Sequence, residues 1–133
     1  QGFALYGRQV RLVLGTSEFV CDLVFYHVRL RRFVIIELKA RAFQAGDLGQ
    51  LSLYLSAADD LLAGEGDQPT IGLVLCRGKD NVVADYALRG HTHPMGIAEW
   101  ASQLTTELPA DLAASLPSID EIEAELSTRE EPR

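Results

Sequence analysis

The sequence predicts an α/β fold, an α+β sandwich in which a mixed sheet carries helices on its faces. Three observations predict it. Apolar and polar residues alternate over 9–14 and 19–27 and give way to a nearly continuous apolar run over 33–39, the patterns of half-buried and fully buried strands. Over 45–63 the apolar residues instead recur at three and four, at Leu48, Leu51, Leu55, Ala58 and Leu62, which is the stripe of an amphipathic helix. Beyond that helix, strand and helix patterns alternate, giving the order β-β-β-α-β-α-β.

Each element has a local reason. Gly15-Thr16-Ser17 separates the first two strands and makes them a hairpin. The third strand, 33–39, ends on Glu37-Leu38-Lys39, and the helix over 45–63 is stopped by Gly64-Glu65-Gly66-Asp67. A fourth strand spans 71–76, a short helix 81–88 and a fifth strand 95–100. After Pro117-Ser118 a short acidic helix is expected over 120–126, with 127–133 frayed.

Composition sets the bounds. At 133 residues and 47% hydrophobic content the chain fits one domain around one core. The net charge of −7 is unevenly spread: residues 107–133 carry eight acidic and two basic side chains, whereas 1–106 carry 11 acidic and 10 basic. We therefore divide the chain into a core, 1–106, and an acidic C-terminal tail, 107–133, of the same domain. The tail is either a solvated electrostatic segment or a docked one, since Leu112, Leu116, Ile119, Ile122 and Leu126 form an apolar stripe. Cys21 and Cys76 lie in apolar strands without C-x-x-C spacing, which reads as buried free thiols in a reducing cytoplasm. No apolar run approaches the length of a membrane span and no signal segment opens the chain.

Charges inside the sheet carry the chemistry. Asp22 sits within an apolar strand, and Glu37 and Lys39 close the next one. Singly, each fits a solvated strand end. Together, flanked by Val, Ile, Leu and Phe, they do not, because a buried charge is costly unless it is paired or binds a metal. Strand parity puts Val20, Asp22, Val24 and Tyr26 on one face, and Ile35, Glu37 and Lys39 on one face of the next strand. Two carboxylates and an ammonium then converge, and hard oxygen donors suit Mg²⁺ or Mn²⁺, with the Leu38 carbonyl as a further ligand. If both carboxylates ligate one cation they must lie within about 5 Å of each other. On the following helix Gln50 and Tyr54 are four apart and share a face; Gln50 would position Lys39 or a water, and Tyr54 would touch phosphate or stack. Arg8, Arg29, Arg31, Arg32 and Arg41 are expected as a basic rim that attracts phosphate. His27, His91 and His93 lack ligand spacing and read as structural or rim residues, and no nucleophile elbow or paired base indicates covalent catalysis.

The spacing D-x14-E-x-K followed by Q-x-x-x-Y resembles that of PD-(D/E)XK phosphodiesterases with a RecB-like helix. Longer runs are similar to the C-terminal nuclease domain of the YhcG family of bacterial proteins: Gly2 through Gln9, Asp22 through His27, Glu37-Leu38-Lys39, Gly49-Gln50, Tyr54-Leu55, Ile71-Gly72-Leu73, Tyr86 through Gly90, Pro94-Met95-Gly96 and Leu116 through Leu126. That resemblance implies a restriction-endonuclease-like fold and Mg²⁺-dependent cleavage of DNA. It also implies an upstream helical DNA-binding domain in the full-length protein. Asp22 and Glu37 would be metal ligands, Lys39 the catalytic lysine and Gln50 the fourth motif residue. The helix that opens such cores is expected upstream of Gln1, and apolar surface left without it would be covered by a second copy, so a homodimer is expected. Two readings stand: a metal-dependent deoxyribonuclease, or a non-catalytic DNA-binding or assembly module of the same fold.

Overall fold

Gly15 and Thr16 form the two-residue connection between β1 (Phe3–Leu14) and β2 (Ser17–His27). Gly15 takes φ +59, a left-handed conformation that a residue lacking Cβ adopts freely and that a tight hairpin requires. The computed structural model describes residues 2–99 and Ile122. β2 pairs antiparallel with β3 (Arg32–Leu38); β3 pairs parallel with β4 (Ile71–Cys76), and β4 with β5 (Met95–Glu99). The five strands keep chain order across the sheet. Parallel neighbours need crossovers, which α1 (Gly46–Leu61) and α2 (Asn81–Leu88) supply. The element order is the expected β-β-β-α-β-α-β.

The largest departure is β1, which begins at Phe3 rather than at 9. The register shifts between Leu5 and Gly7, a bulge. Phe3 and Leu5 pack on one face of the sheet, while Val10, Leu12 and Leu14 pack on the other, so the buried positions change from odd to even along the strand. That change of face hides 3–8 from a search for a single apolar stripe. β3 ends one residue before Lys39, whose N–H nonetheless donates to Leu75 O at 2.9 Å. Trp100 lies outside the described residues, as does the expected helix over 120–126 apart from Ile122.

Two apolar layers sandwich the sheet. On one face, Leu48, Leu51, Leu55 and Ala58 of α1 and Ala84 of α2 pack with Val24, Ile35, Val74 and Ile97. These α1 positions follow the expected three-and-four spacing. The helix sits close because β4 presents Gly72, where a Cβ would stand 2.9 Å from both Leu51 methyls. On the other face Leu23, Phe25, Val34, Ile36, Ile71, Leu73, Leu75 and Ala98 enclose Ile122, which is fully buried.

Ile122, one residue of the expected apolar stripe, is therefore docked on the sheet. Ile122→Ala is expected to lower the unfolding free energy by roughly 2–5 kcal/mol, the usual cost of a large-to-small change in a packed core. Urea titration checks it; an unchanged midpoint would mean that Ile122 contributes nothing to the core.

Candidate active site

The β2–β3 ladder runs from His27–Arg32 to Leu23–Ile36, so Asp22 and Glu37 fall one position beyond its last pair. There side chains replace the ladder. Asp22 N–H donates to Glu37 Oε2 at 3.0 Å, and Leu38 N–H donates to Asp22 Oδ2 at 2.8 Å. Each carboxylate is thus anchored on the other's strand, which brings the two together as the spacing predicted. On the far side of β2 the ladder passes from Arg8–Leu23 to Val10–Cys21, and Gln9, between them, donates from Nε2 to Asp22 Oδ1 at 3.3 Å.

The parity expectation for β2 needs correction. Phe19 and Cys21 pack on the helix-bearing face, but so do Val24 and Tyr26, while Leu23 and Phe25 pack on the opposite one. Alternation slips by one residue at Asp22. Val20 and Val24 therefore do not share a face, since period-two reasoning assumes an unbroken strand.

Burial makes this corner electrostatically costly. Glu37 is only 4% exposed, and its carboxyl is pushed up from 4.5 to about 7, first by burial and then by the Asp22 charge; the Asp22 N–H and Lys39 pull it back. The Cys21 thiol and the Tyr54 phenol, buried alongside, are both pushed up to about 12 by burial and next by Glu37. The charge on Asp22 adds to the rise in all three. Among the described residues neither carboxylate forms an ion pair. Lys39 Nζ instead donates to Gln50 Oε1 at 3.1 Å. A hard divalent cation would offset that charge, and Asp22, Glu37 and the Leu38 carbonyl are the groups that could hold it. No group of three or more His, Cys, Asp or Glu side chains comes together among the described residues. Two carboxylates leave several positions to water, which suits Mg²⁺.

The remaining candidates divide. Gln50 is exposed beside Lys39. Tyr54, one turn on, is 5% exposed and packs against Phe19 with ring centroids 5.9 Å apart, so its ring has no open face for a nucleobase. Arg8 sits opposite Leu23, next to Gln9. Arg41 forks onto Asp47 at 2.7 and 3.0 Å, tying the segment after Lys39 to the first turn of α1. Arg29 and Arg31 do not join the site: they lie in the β2–β3 connection, six or more residues from Glu37, roughly 20 Å at about 3.3 Å per residue. Arg32 is at the same end and donates to Pro69 O at 3.0 and 2.7 Å. His27 is buried, with Nδ1 accepting from Leu30 N–H at 3.1 Å, and His93 pairs with Asp59 at 2.7 Å, both structural roles. Gln9 is the residue that motif spacing misses, because nothing in the sequence distinguishes it from any polar strand residue.

A sequence profile of the YhcG PDDEXK nuclease domain matches residues 1–117, and the chain belongs to that family. It is similar to YhcG of Escherichia coli (strain K12), with 40% identity over 105 residues, 79% of this chain and 28% of that protein. The chain thus spans less than a third of that relative's length. Its fold is similar to that of a repair endonuclease from Pyrococcus abyssi (TM-score 0.51, 13% identity, 74% of this chain and 38% of that one). It is also similar to the EndoMS–dsDNA2 complex (TM-score 0.52, 17% identity, 74% of this chain and 37% of that one). At these identities the likeness is one of fold.

The position of Glu37 has a measurable consequence. Between pH 4.5 and about 7 the folded chain holds a proton that the unfolded chain releases, so raising the pH through this window removes stability. In the metal-free protein the melting temperature should fall more over that range than in Glu37→Gln, which still offers an acceptor to Asp22 N–H. At pH 8 the variant should be the more stable by up to a few kcal/mol, at about 1.4 kcal/mol per unit of pKa difference. Parallel pH profiles for the two proteins would show that Glu37 titrates as an ordinary carboxyl.

Proposed function

We propose that this member of the YhcG PDDEXK nuclease domain family hydrolyses phosphodiester bonds in DNA with a metal-activated water. The observation that carries the reading is the pair of buried Glu37 and half-buried Asp22, cross-anchored at 3.0 and 2.8 Å and without an ion-pair partner among the described residues. Asp22, Glu37 and the Leu38 carbonyl would hold Mg²⁺ or Mn²⁺. Such an ion lowers the pKa of a bound water and offsets charge on the phosphoryl oxygens. Lys39 would orient that water and balance charge developing on the phosphate. Gln50, whose Oε1 accepts from Lys39 Nζ at 3.1 Å, keeps that ammonium aimed. Arg41, in the segment directly after Lys39, would contact the DNA backbone, exchanging part of its Asp47 fork for phosphate.

The EndoMS structure named above is a complex with double-stranded DNA, which supports DNA as the substrate. Family resemblance supports an upstream DNA-binding domain in the full-length protein, and pairing of two copies would present two sites to the two strands of a duplex. The two buried free thiols, Cys21 and Cys76, suit a reducing cytoplasm. No helix among the described residues is long and apolar enough to cross a membrane.

Cleavage of DNA in Mg²⁺, with calorimetric Mn²⁺ binding measured in parallel, tests the assignment. Lys39→Ala should cut cleavage at least about 100-fold while nearly preserving Mn²⁺ affinity, whereas Asp22→Ala should lose both. Chelation of the metal should abolish cleavage by the wild type. Equal Mn²⁺ affinity in the wild type and Asp22→Ala would show that Asp22 is not a ligand.

A further inference from the structure

Two residues other than glycine have positive φ among those described: Arg31 at +57 and Gln9 at +52. Arg31 is explained by its place. It closes the tight connection between β2 and β3, where its N–H donates to His27 O at 2.8 Å. Gln9 has no turn to explain it, because it lies inside β1 with strand on either side. A long polar side chain in the left-handed region is strained, and such strain persists where surrounding structure enforces it, often at functional sites.

The distortion has a local correlate. Arg8–Leu23 and Val10–Cys21 are ladder partners, and Gln9 and Asp22 are the residues between them. At this gap the Gln9 amide donates from Nε2 to Asp22 Oδ1 at 3.3 Å, while Leu38 N–H donates to Oδ2 at 2.8 Å. Each oxygen of Asp22 therefore has one donor, which fixes the plane of the carboxylate and leaves further lone pairs on both atoms. The chemistry of the donor matters. A Lys or Arg at position 9 would neutralise Asp22 and compete with a cation, whereas a carboxamide holds the oxygen and leaves the negative charge in place.

We propose that Gln9 is a positioning residue, held in a left-handed backbone so that its amide fixes the Asp22 carboxylate for a divalent cation. This rests on the metal-site reading above. Partners of this kind, one bond removed from the metal, typically change affinity about 10- to 100-fold when lost.

The test uses the 133-residue chain and Mn²⁺ alone, with affinity from calorimetry and melting temperature recorded on the same samples. Gln9→Gly and Gln9→Asn both tolerate positive φ, but the first removes the amide and the second is one methylene too short to keep the bond. Both should retain or raise the melting temperature while weakening Mn²⁺ binding about 10-fold. A merely structural distortion would give the opposite: unchanged affinity in both variants, which would overturn the proposal. If the wild type binds no Mn²⁺, the metal reading itself fails and the role of Gln9 falls with it. That result is distinguishable, because it appears before any substitution is made.

Discussion

A carboxylate buried next to a second carboxylate is the constraint around which this domain is built. Desolvation alone disfavours the charge on Glu37, and Asp22 beside it adds repulsion. Backbone amides offset part of this cost, one from each strand, because the ladder between β2 and β3 stops one residue early and frees Asp22 N–H and Leu38 N–H to bind side chains. The unpaired end of the ladder is therefore the feature that makes room for two acids. A cation supplies what the amides cannot, since hydrogen bonds leave the net charge unchanged.

The rest of the fold holds that corner still. Because β3, β4 and β5 run parallel, their carboxyl ends open on one edge, where open α/β sheets commonly place ligand sites. Glu37 and Lys39 reach that edge from β3. The segments that follow β3 and β4 are then stitched together, Arg77 N–H donating to Arg41 O at 3.0 Å and Phe43 N–H to Gly78 O at 2.8 Å. Leu51 seated on Gly72 brings α1 close to the sheet, and this sets Gln50, on the neighbouring exposed position, within reach of Lys39. Core packing and site geometry share one helix, so a change in the Leu51–Gly72 contact would move Gln50 as well.

Much of this was legible in the sequence, and the exceptions have physical causes. Long periodic segments gave away the strands and α1, and spacing brought Asp22, Glu37, Lys39 and Gln50 together, because parity along β3 and the i, i+4 rule are short-range geometry. Periodicity failed wherever the chain broke its own period. In β1 the buried positions change from odd to even, and so from one face to the other, which concealed its first half, and the slip at Asp22 put Val24 on the face opposite to that of Val20. Nearness in sequence misled for Arg29 and Arg31, since an extended strand carries neighbours away from each other at about 3.3 Å per residue. Tyr54 shows a subtler limit: four residues on a helix advance about 40° past a full turn, enough to pass from exposed Gln50 to a buried ring. The bond from Gln9 depends on a backbone angle that no residue pattern announces.

Joint binding of a divalent cation by Asp22 and Glu37 is the property on which catalysis here would depend. Crystals of the chain soaked in Mn²⁺ and measured at the manganese absorption edge test this directly. An anomalous peak within about 2–2.6 Å of one carboxylate oxygen from each residue is the predicted result; full-occupancy Mn²⁺ elsewhere, with no peak between these two carboxylates, would contradict it.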